Sequence, residues 1–325
     1  MSEANPGPVL EVRNLVKRFP LNTGLFDRGA AWVNAVADVS FAIDPGETLG
    51  VVGESGCGKT TLGKTVMRLL DPDSGTIALN GRDITTVGDM VLRERRREIQ
   101  MVFQDPFSSL NPRMTCGRIV AEPLEIYRVA SGAEKTRRVE AMFDRVGLRP
   151  DQMKRYPHQL SGGQRQRLGV ARALALEPSV IVADEPVSAL DVSVQAQVLN
   201  LLRDLQRGSQ LAYLFISHDL AVVEHIAHRV AVMYLGRIVE IADKRTLYAS
   251  PRHPYTEALL AAVPSARPGT KRERAILGGD VPSPINPPPG CAFSTRCPLA
   301  KDICLQSAPE LKEVAPGQRV ACHLR

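Results

Sequence analysis

The sequence predicts an α/β fold: a core of buried parallel strands, an antiparallel β layer ahead of it, an inserted helical subdomain and a C-terminal extension that bears cysteines. Three observations predict it. Apolar runs rich in Val, Ile and Leu at residues 48–52, 180–183 and 211–216 each precede a helical pattern, as buried parallel strands do. Residues 9–16 and 33–43 instead alternate apolar and polar positions in the manner of half-exposed strands, on either side of the polar segment 21–28. Between residues 90 and 159 the strand pattern disappears, and residues 117–129 and 133–146 carry apolar side chains at helical spacing.

In order along the chain, the first two strands form the antiparallel layer, and the strand at 48–52 opens the core. A helix follows over residues 60–70, then the helical subdomain at about 90–165. A further helix over 192–206 places Val194, Val198, Leu201 and Leu205 on one stripe, which is ordinary packing against a core. Beyond Ser250 the composition shifts to proline, with Pro251, Pro254, Pro264, Pro268 and a dense run over 282–289. Proline lacks an amide donor and blocks helix interiors, so this stretch reads as an extended linker or a wrapped tail. The boundary divides residues 1–250 from 251–325.

A chain of 325 residues is long enough for a large core domain with an appendage. With 44% hydrophobic and 23% charged residues it groups with globular proteins. No apolar run reaches the roughly 18 residues a membrane span needs, and Met1-Ser2-Glu3-Ala4-Asn5-Pro6 lacks the basic and apolar regions of an export signal. The net charge of +6 is modest and spread out, so no nucleic-acid partner is expected. The densest run, Arg93-Glu94-Arg95-Arg96-Arg97-Glu98, mixes both signs and reads as an exposed helix face.

Gly53-Glu54-Ser55-Gly56-Cys57-Gly58-Lys59-Thr60 matches the phosphate-loop pattern at every fixed position, between the required strand and helix. The glycines let backbone amides converge on phosphate oxygens, and the helix N-terminus adds partial positive charge. Lys59 reaches the outer phosphates and the Thr60 hydroxyl can ligate Mg²⁺; Thr61 follows in the first helical turn. Val180-Ile181-Val182-Ala183-Asp184-Glu185 carries two acids to the end of an apolar strand, where α/β sheets bind ligands. Asp184 suits the Mg²⁺ shell, which leaves Glu185 to polarise a water for in-line attack.

Leu160-Ser161-Gly162-Gly163-Gln164, just ahead of that strand, resembles the signature of ABC transporter ATPases. The resemblance implies a P-loop NTPase fold of the ABC ATPase kind over residues 1–250. It also implies that Ser161, Gly162, Gly163 and Gln164 bind the ATP held by a partner's phosphate loop, so that two subunits enclose two nucleotides. Further matches follow in the family's order. Gln104, in Val102-Phe103-Gln104-Asp105-Pro106, resembles the Q-loop glutamine that senses Mg²⁺ and the attacking water. Ser188-Ala189-Leu190-Asp191 resembles the D-loop, and His218, in Ile216-Ser217-His218-Asp219, the switch histidine. The family stacks adenine on an aromatic residue after the first strand; Phe19 is preferred for that role and Trp32 is the alternative.

His253-Pro254-Tyr255-Thr256-Glu257-Ala258-Leu259-Leu260 and the tail beyond resemble the C-terminal extension of ATPases that serve oligopeptide and dipeptide importers, a branch that includes importers of nickel and glutathione. The implied partners are a second ABC ATPase subunit, with a heterodimer the expected form, two transmembrane permease subunits and, through the complex, a substrate-binding protein. The implied location is the cytoplasmic face of the cell membrane. The other class of function, an ABC ATPase acting on nucleic acid or the ribosome, usually brings a second cassette or a long coiled coil, and neither is in this sequence. A noncatalytic regulatory subunit is disfavoured by the presence of Lys59, Asp184, Glu185 and His218.

Cys291, Cys297, Cys304 and Cys322 crowd the tail. In the compartment implied for an ATP-driven subunit disulfides are rare, so four thiolates point to a metal. Zn²⁺, the alternative, favours tighter pairs, while four thiolates can also hold a [4Fe-4S] cluster. The resemblance to peptide-importer ATPases, some of which carry a cluster in a similarly spaced tail, implies the cluster. Cys57 and Cys116 lie apart from this group and read as small packing residues, although Cys57 also belongs to the phosphate loop.

Overall fold

The computed structural model of the chain describes residues 7–21, 31–262 and 282–325. It begins with β1 (Leu10–Pro20), β2 (Trp32–Ile43), β3 (Thr48–Val52), α1 (Lys59–Val66), β4 (Ser74–Leu79), β5 (Arg82–Asp83), α2 (Asp89–Arg95) and β6 (Ile99–Val102). Then come α3 (Pro106–Ser109), α4 (Cys116–Ile126), α5 (Gly132–Arg145), α6 (Gly162–Leu174), β7 (Val180–Asp184), α7 (Val192–Arg207) and β8 (Ala212–Ile216). The remainder is α8 (Leu220–Ile226), β9 (Arg229–Tyr234), β10 (Arg237–Asp243), α9 (Lys244–Ala249), α10 (Pro254–Ala262), α11 (Asp302–Gln306), β11 (Lys312–Ala315) and β12 (Gln318–Val320). Most of the polar joint between the first two strands, together with Pro264 and Pro268, lies outside the described residues. The chain divides into two compact units, one of residues 1–11, 42–48 and 78–216, the other of residues 12–41, 49–77 and 217–325.

In the first unit, β6, β7 and β8 run parallel, with Ile99 opposite Val180 and Val180 opposite Ala212. Every residue of β7 and β8 is buried, which is why both read as unbroken apolar runs in the sequence. β6 corrects the expectation that residues 90–159 hold no strand. Its four residues, Ile99-Gln100-Met101-Val102, are too few to display a period, and they follow directly on the charged run of α2. The expected helices at 117–129 and 133–146 are α4 and α5, whose Ile119, Val120, Leu124, Val139 and Phe143 are buried. The core face of α7 is rotated from the expected stripe: Val198, Leu199, Leu202 and Leu205 are buried, and Leu201 is half-exposed. Gln206 shares that face, donating through Nε2 to Thr48 Oγ1 at 3.0 Å and to the Leu211 carbonyl at 3.0 Å. Apolar spacing overlooks a buried amide that has its partners inside.

In the second unit, β3 pairs parallel with β9, with Leu49 opposite Arg229 and Val52 opposite Val232. β9 turns back antiparallel into β10 through Leu235 and Gly236, both at positive φ, as a tight hairpin requires. β10 pairs in turn with β12, and β12 with β11, both antiparallel. The antiparallel layer is present here as the order β2-β1-β4. Residues 282–289 form neither helix nor strand, as their prolines dictate. Residues 318–320 of the tail are built into the sheet as β12. Glu240, fully buried on β10, anchors it: its carboxylate accepts from the Arg252 and His253 amides at 2.9 and 2.8 Å and from Gln318 Nε2 at 2.8 Å. Buried polar oxygens are stable only with such a full set of donors.

Candidate functional site

The phosphate loop belongs to the second unit, directly after the fully buried β3. Gly58 caps α1 at φ 105°, a left-handed conformation that excludes ordinary side chains, and a Cβ there would sit 2.0 Å from the Ala35 carbonyl oxygen. Lys59 is nearly enclosed, and its ammonium donates to the carbonyls of Gly53 at 2.8 Å and Glu54 at 2.9 Å, with Cys57 Sγ at 3.8 Å. The loop therefore sets the direction of its own cation. Burial pushes the Cys57 thiol up against the pull of Lys59, which keeps it protonated and makes it a packing residue inside the loop. The Cys57 carbonyl accepts from the Gly236 amide at 2.9 Å, so the β9–β10 turn braces the loop from behind.

Residues 217–219 also lie in the second unit, where Ser217 N donates to the Val51 carbonyl at 3.1 Å. Asp219 caps α8 by accepting from the amides of Ala221 and Val222, while Ser217 Oγ accepts from Asp219 N. His218 is thus an exposed side chain on a turn held at both ends. Phe19 on β1 is half-buried beneath the Lys17 ammonium, 5.5 Å from its ring centroid, and Trp32 on β2 is 42% exposed with the Arg18 guanidinium 5.8 Å away. Both rings already carry a cation on one face.

In the first unit, parallel register brings two predicted residues together. Val102 stands opposite Ala183, so Gln104 and Glu185 leave the same ends of neighbouring strands. The amide Nε2 of Gln104 donates to Glu185 Oε2 at 2.9 Å. Glu185 adopts φ 45°, an uncommon backbone for a non-glycine residue. Its amide is tied to the Ile216 carbonyl at 2.9 Å, and its carbonyl accepts from Ser188 Oγ, which starts the turn that leads to α7. Asp184, the last residue of β7, is 3% exposed. Asp191 occupies the N-cap of α7 without a capping bond from its side chain.

Ser161 and Gln164 form a reciprocal capping box at the start of α6: Ser161 Oγ accepts from Gln164 N at 3.3 Å, and Gln164 Oε1 from Ser161 N at 3.1 Å. Gly163 lies close against the neighbouring helix: a Cβ there would come 2.4 Å from Val194 Cγ1 on α7, so that side chain would have to move. Ser161 and Gly162 are exposed, so the loop presents a glycine-rich helix N-terminus outward.

The tail thiols stand close enough to raise one another: burial is the main cause for Cys291 and Cys297, and the other cysteines add to it. Among the described residues, however, no three His, Cys, Asp or Glu side chains are arranged to hold a metal ion, so as placed these thiols do not fit an iron–sulfur cluster or Zn²⁺. Cys304 is buried, whereas Cys291, Cys297 and Cys322 are half-buried. Spacing in sequence records four thiols in one segment but not whether their sulfurs converge.

Residues 36–188 match the family model described as ABC transporter, and residues 239–304 the one described as Oligopeptide/dipeptide transporter, C-terminal region. Over 327 aligned positions the chain is 55% identical to the oligopeptide transport ATP-binding protein AppF of Bacillus subtilis (strain 168), covering 100% of this chain and 99% of the relative. The chain belongs to the ABC transporter ATP-binding proteins. A second member of the family, the probable peptide ABC transporter ATP-binding protein y4tS of Sinorhizobium fredii, is 56% identical over 317 positions, 98% of this chain and 90% of that one. Among solved structures, a dimeric post-hydrolysis state of the ATP-binding cassette MJ0796 with ADP and Pi superposes with a TM-score of 0.64 at 29% identity, covering 73% of this chain and 99% of that one. The cassette cbiO1 of Clostridium perfringens, part of the complex cbiONQ, gives 0.65 at 25% identity, over 75% and 92%.

As an ABC ATP-binding chain the protein is an ATPase with the mixed α/β fold its sequence predicts, and among the described residues no helix is long and apolar enough to cross a membrane. Two residues that touch the phosphate loop escape the sequence reading. Tyr255 lies within residues 253–260 but belongs to no phosphate-site motif, and Arg296 stands between Cys291 and Cys297 without a pattern of its own.

Proposed function

We propose that this chain is the ATP-hydrolysing subunit of a membrane importer for oligopeptides or dipeptides. The observation that carries the chemistry is the Gln104–Glu185 contact, in which an amide steadies a carboxylate poised at a strand end to polarise water. The names of the most similar relatives and the match over residues 239–304 support peptide as the cargo.

In this reading Gly53, Glu54, Ser55, Gly56, Cys57, Gly58, Lys59, Thr60 and Thr61 receive the phosphates, and Thr60, Gln104 and Asp184 hold Mg²⁺. Glu185 acts as base, with His218 on the γ-phosphate. Mg²⁺ supplies charge neutralisation on the phosphate oxygens when bound, and the chain's own part is positioning and charge stabilisation. Ser161, Gly162, Gly163, Gln164 and Asp191 serve the nucleotide of a second ATPase subunit, and Phe19 packs on adenine, with Trp32 as the alternative. Two permease subunits, reached from the cytoplasmic face, and a substrate-binding protein complete the importer. The reading of Cys291, Cys297, Cys304 and Cys322 as an iron–sulfur or zinc site rests on residue type and spacing alone, and no step is routed through it.

Glu185→Gln tests the assignment. We expect MgATP binding to persist while steady hydrolysis falls at least about a hundredfold, the lower range for loss of a positioned base. Turnover within a few-fold of the parent would remove Glu185 from the chemistry. Peptide-stimulated hydrolysis in the assembled transporter, absent with nickel or glutathione, checks the cargo.

A further inference from the structure

The C-terminal extension does more than add two strands to β10. Arg296 reaches Glu54, the second residue of the phosphate loop, with a two-pronged contact: Nη1 donates to Oε2 at 2.8 Å and Nη2 to Oε1 at 3.1 Å. The pair is sheltered, the Arg296 side chain being 7% exposed and that of Glu54 27%. The Glu54 carboxylate, with help from Tyr234, pushes the guanidinium pKa up, as a committed partner does. Tyr255, fully buried on α10, holds the same residue by its backbone, its hydroxyl accepting from Glu54 N at 2.9 Å.

Behind these contacts stands a buried aromatic cluster. The Tyr234 ring lies 4.7 Å from Tyr255 and 5.3 Å from Phe293, Tyr255 and Phe293 lie 5.5 Å apart, and the Arg296 guanidinium sits 6.0 Å from the Tyr234 centroid. Arg296 and Tyr255 are therefore stiffly mounted. Glu54 is gripped on side chain and amide by the extension, while its carbonyl accepts from the Lys59 ammonium at 2.9 Å. The Glu54 N–H shares its peptide plane with the Gly53 carbonyl, which accepts from the Lys59 ammonium at 2.8 Å, so holding that N–H restrains a carbonyl that aims the lysine.

We propose that Arg296 and Tyr255 are positioning residues of the nucleotide site, through which the C-terminal extension sets the geometry of the phosphate loop by holding Glu54. The inference rests on assigning residues 53–60 to the phosphates. Neither residue touches the reacting atoms; both act through Glu54 on Lys59. By linkage the effect is reciprocal, so nucleotide in the loop also tightens the extension.

The test is MgADP affinity of the full-length chain by calorimetry, alongside the melting temperature. Arg296→Gln and Tyr255→Phe are each expected to weaken MgADP about tenfold, within the ordinary range of coupling between sites, with the melting temperature nearly unchanged. Arg296→Lys, which keeps the charge but loses the fork, should fall between Arg296→Gln and the parent. Hydrogen exchange of residues 291–297 should slow on adding MgADP in the parent but not in Arg296→Gln. Parent-like affinity in both Arg296→Gln and Tyr255→Phe overturns the proposal. If Arg296→Gln unfolds, the exchange Glu54→Arg with Arg296→Glu decides: affinity restored above that of Glu54→Arg alone supports the contact, and no restoration refutes it. Lys59→Ala separates the two levels. Binding that survives this change sinks the phosphate-loop assignment itself, whereas binding lost there but intact in Arg296→Gln sinks only the positioning role.

Discussion

His253 offers a direct measurement of how tightly the extension is built into the second unit. The side chain is 1% exposed, and its Nδ1 accepts from Tyr255 N at 3.1 Å, which fixes the neutral form as the one the fold needs. Burial, reinforced by the nearby Arg325 cation, pulls its pKa from 6.5 down to about 4. The folded state then binds fewer protons than the unfolded state between those values. Stability tied to this group is fully present above pH 6.5 and drains away as the pH falls toward 4. A drop from pH 7.5 to 5 removes about 2 kcal/mol from this one group, at 1.36 kcal/mol per pKa unit. His253→Asn keeps an acceptor for the Tyr255 amide but does not titrate. Urea unfolding of parent and variant at the two pH values is expected to show the parent losing about 2 kcal/mol more than the variant. Parallel losses would refute a buried neutral histidine at this place. The aromatic cluster that surrounds Tyr255 would then be more open to water than its packing implies.

Two further outcomes follow from burial and backbone geometry. Gly58→Ala must place a Cβ 2.0 Å from the Ala35 carbonyl at a φ of 105°, so the loop shifts and MgADP binding is expected to fall at least about tenfold; parent-like affinity by calorimetry would show that the loop tolerates a side chain there. Cys116 is fully buried and burial pushes its thiol up to about 11, so a thiol reagent at pH 8 should label it only after unfolding, while rapid labelling of the folded chain, located by peptide mapping, would contradict its place in α4.

Much of the site was legible because its chemistry is carried by short contiguous motifs. Residues 53–60 combine strand, glycine turn and helix start within one segment, so local rules suffice to read them. Ser161 and Gln164 likewise cap their own helix three residues apart. The strands β3, β7 and β8 could be read since burial on both faces makes them uniformly apolar. β6 could not, its four residues being identified by their pairing with β7 rather than by any period of their own. The rotation of α7 escaped for a related reason, because Gln206 is inside by virtue of partners at Thr48 and Leu211, which sequence spacing does not reveal.

By itself, then, the sequence determined the chemical inventory: which loop has glycines and a lysine in the phosphate-loop pattern, which strand ends in acids, and which family these segments resemble. Tertiary structure decided which distant residues meet. Parallel register set Gln104 on Glu185 across 81 positions. The return of the tail set Arg296 on Glu54 across 242. The same tail showed the reverse, since four cysteines near in sequence form no metal-binding group among the described residues. The physical reason is common to all three cases. A motif records neighbours along the chain, while convergence of side chains depends on strand register and packed cores, whose partners are written elsewhere in the sequence.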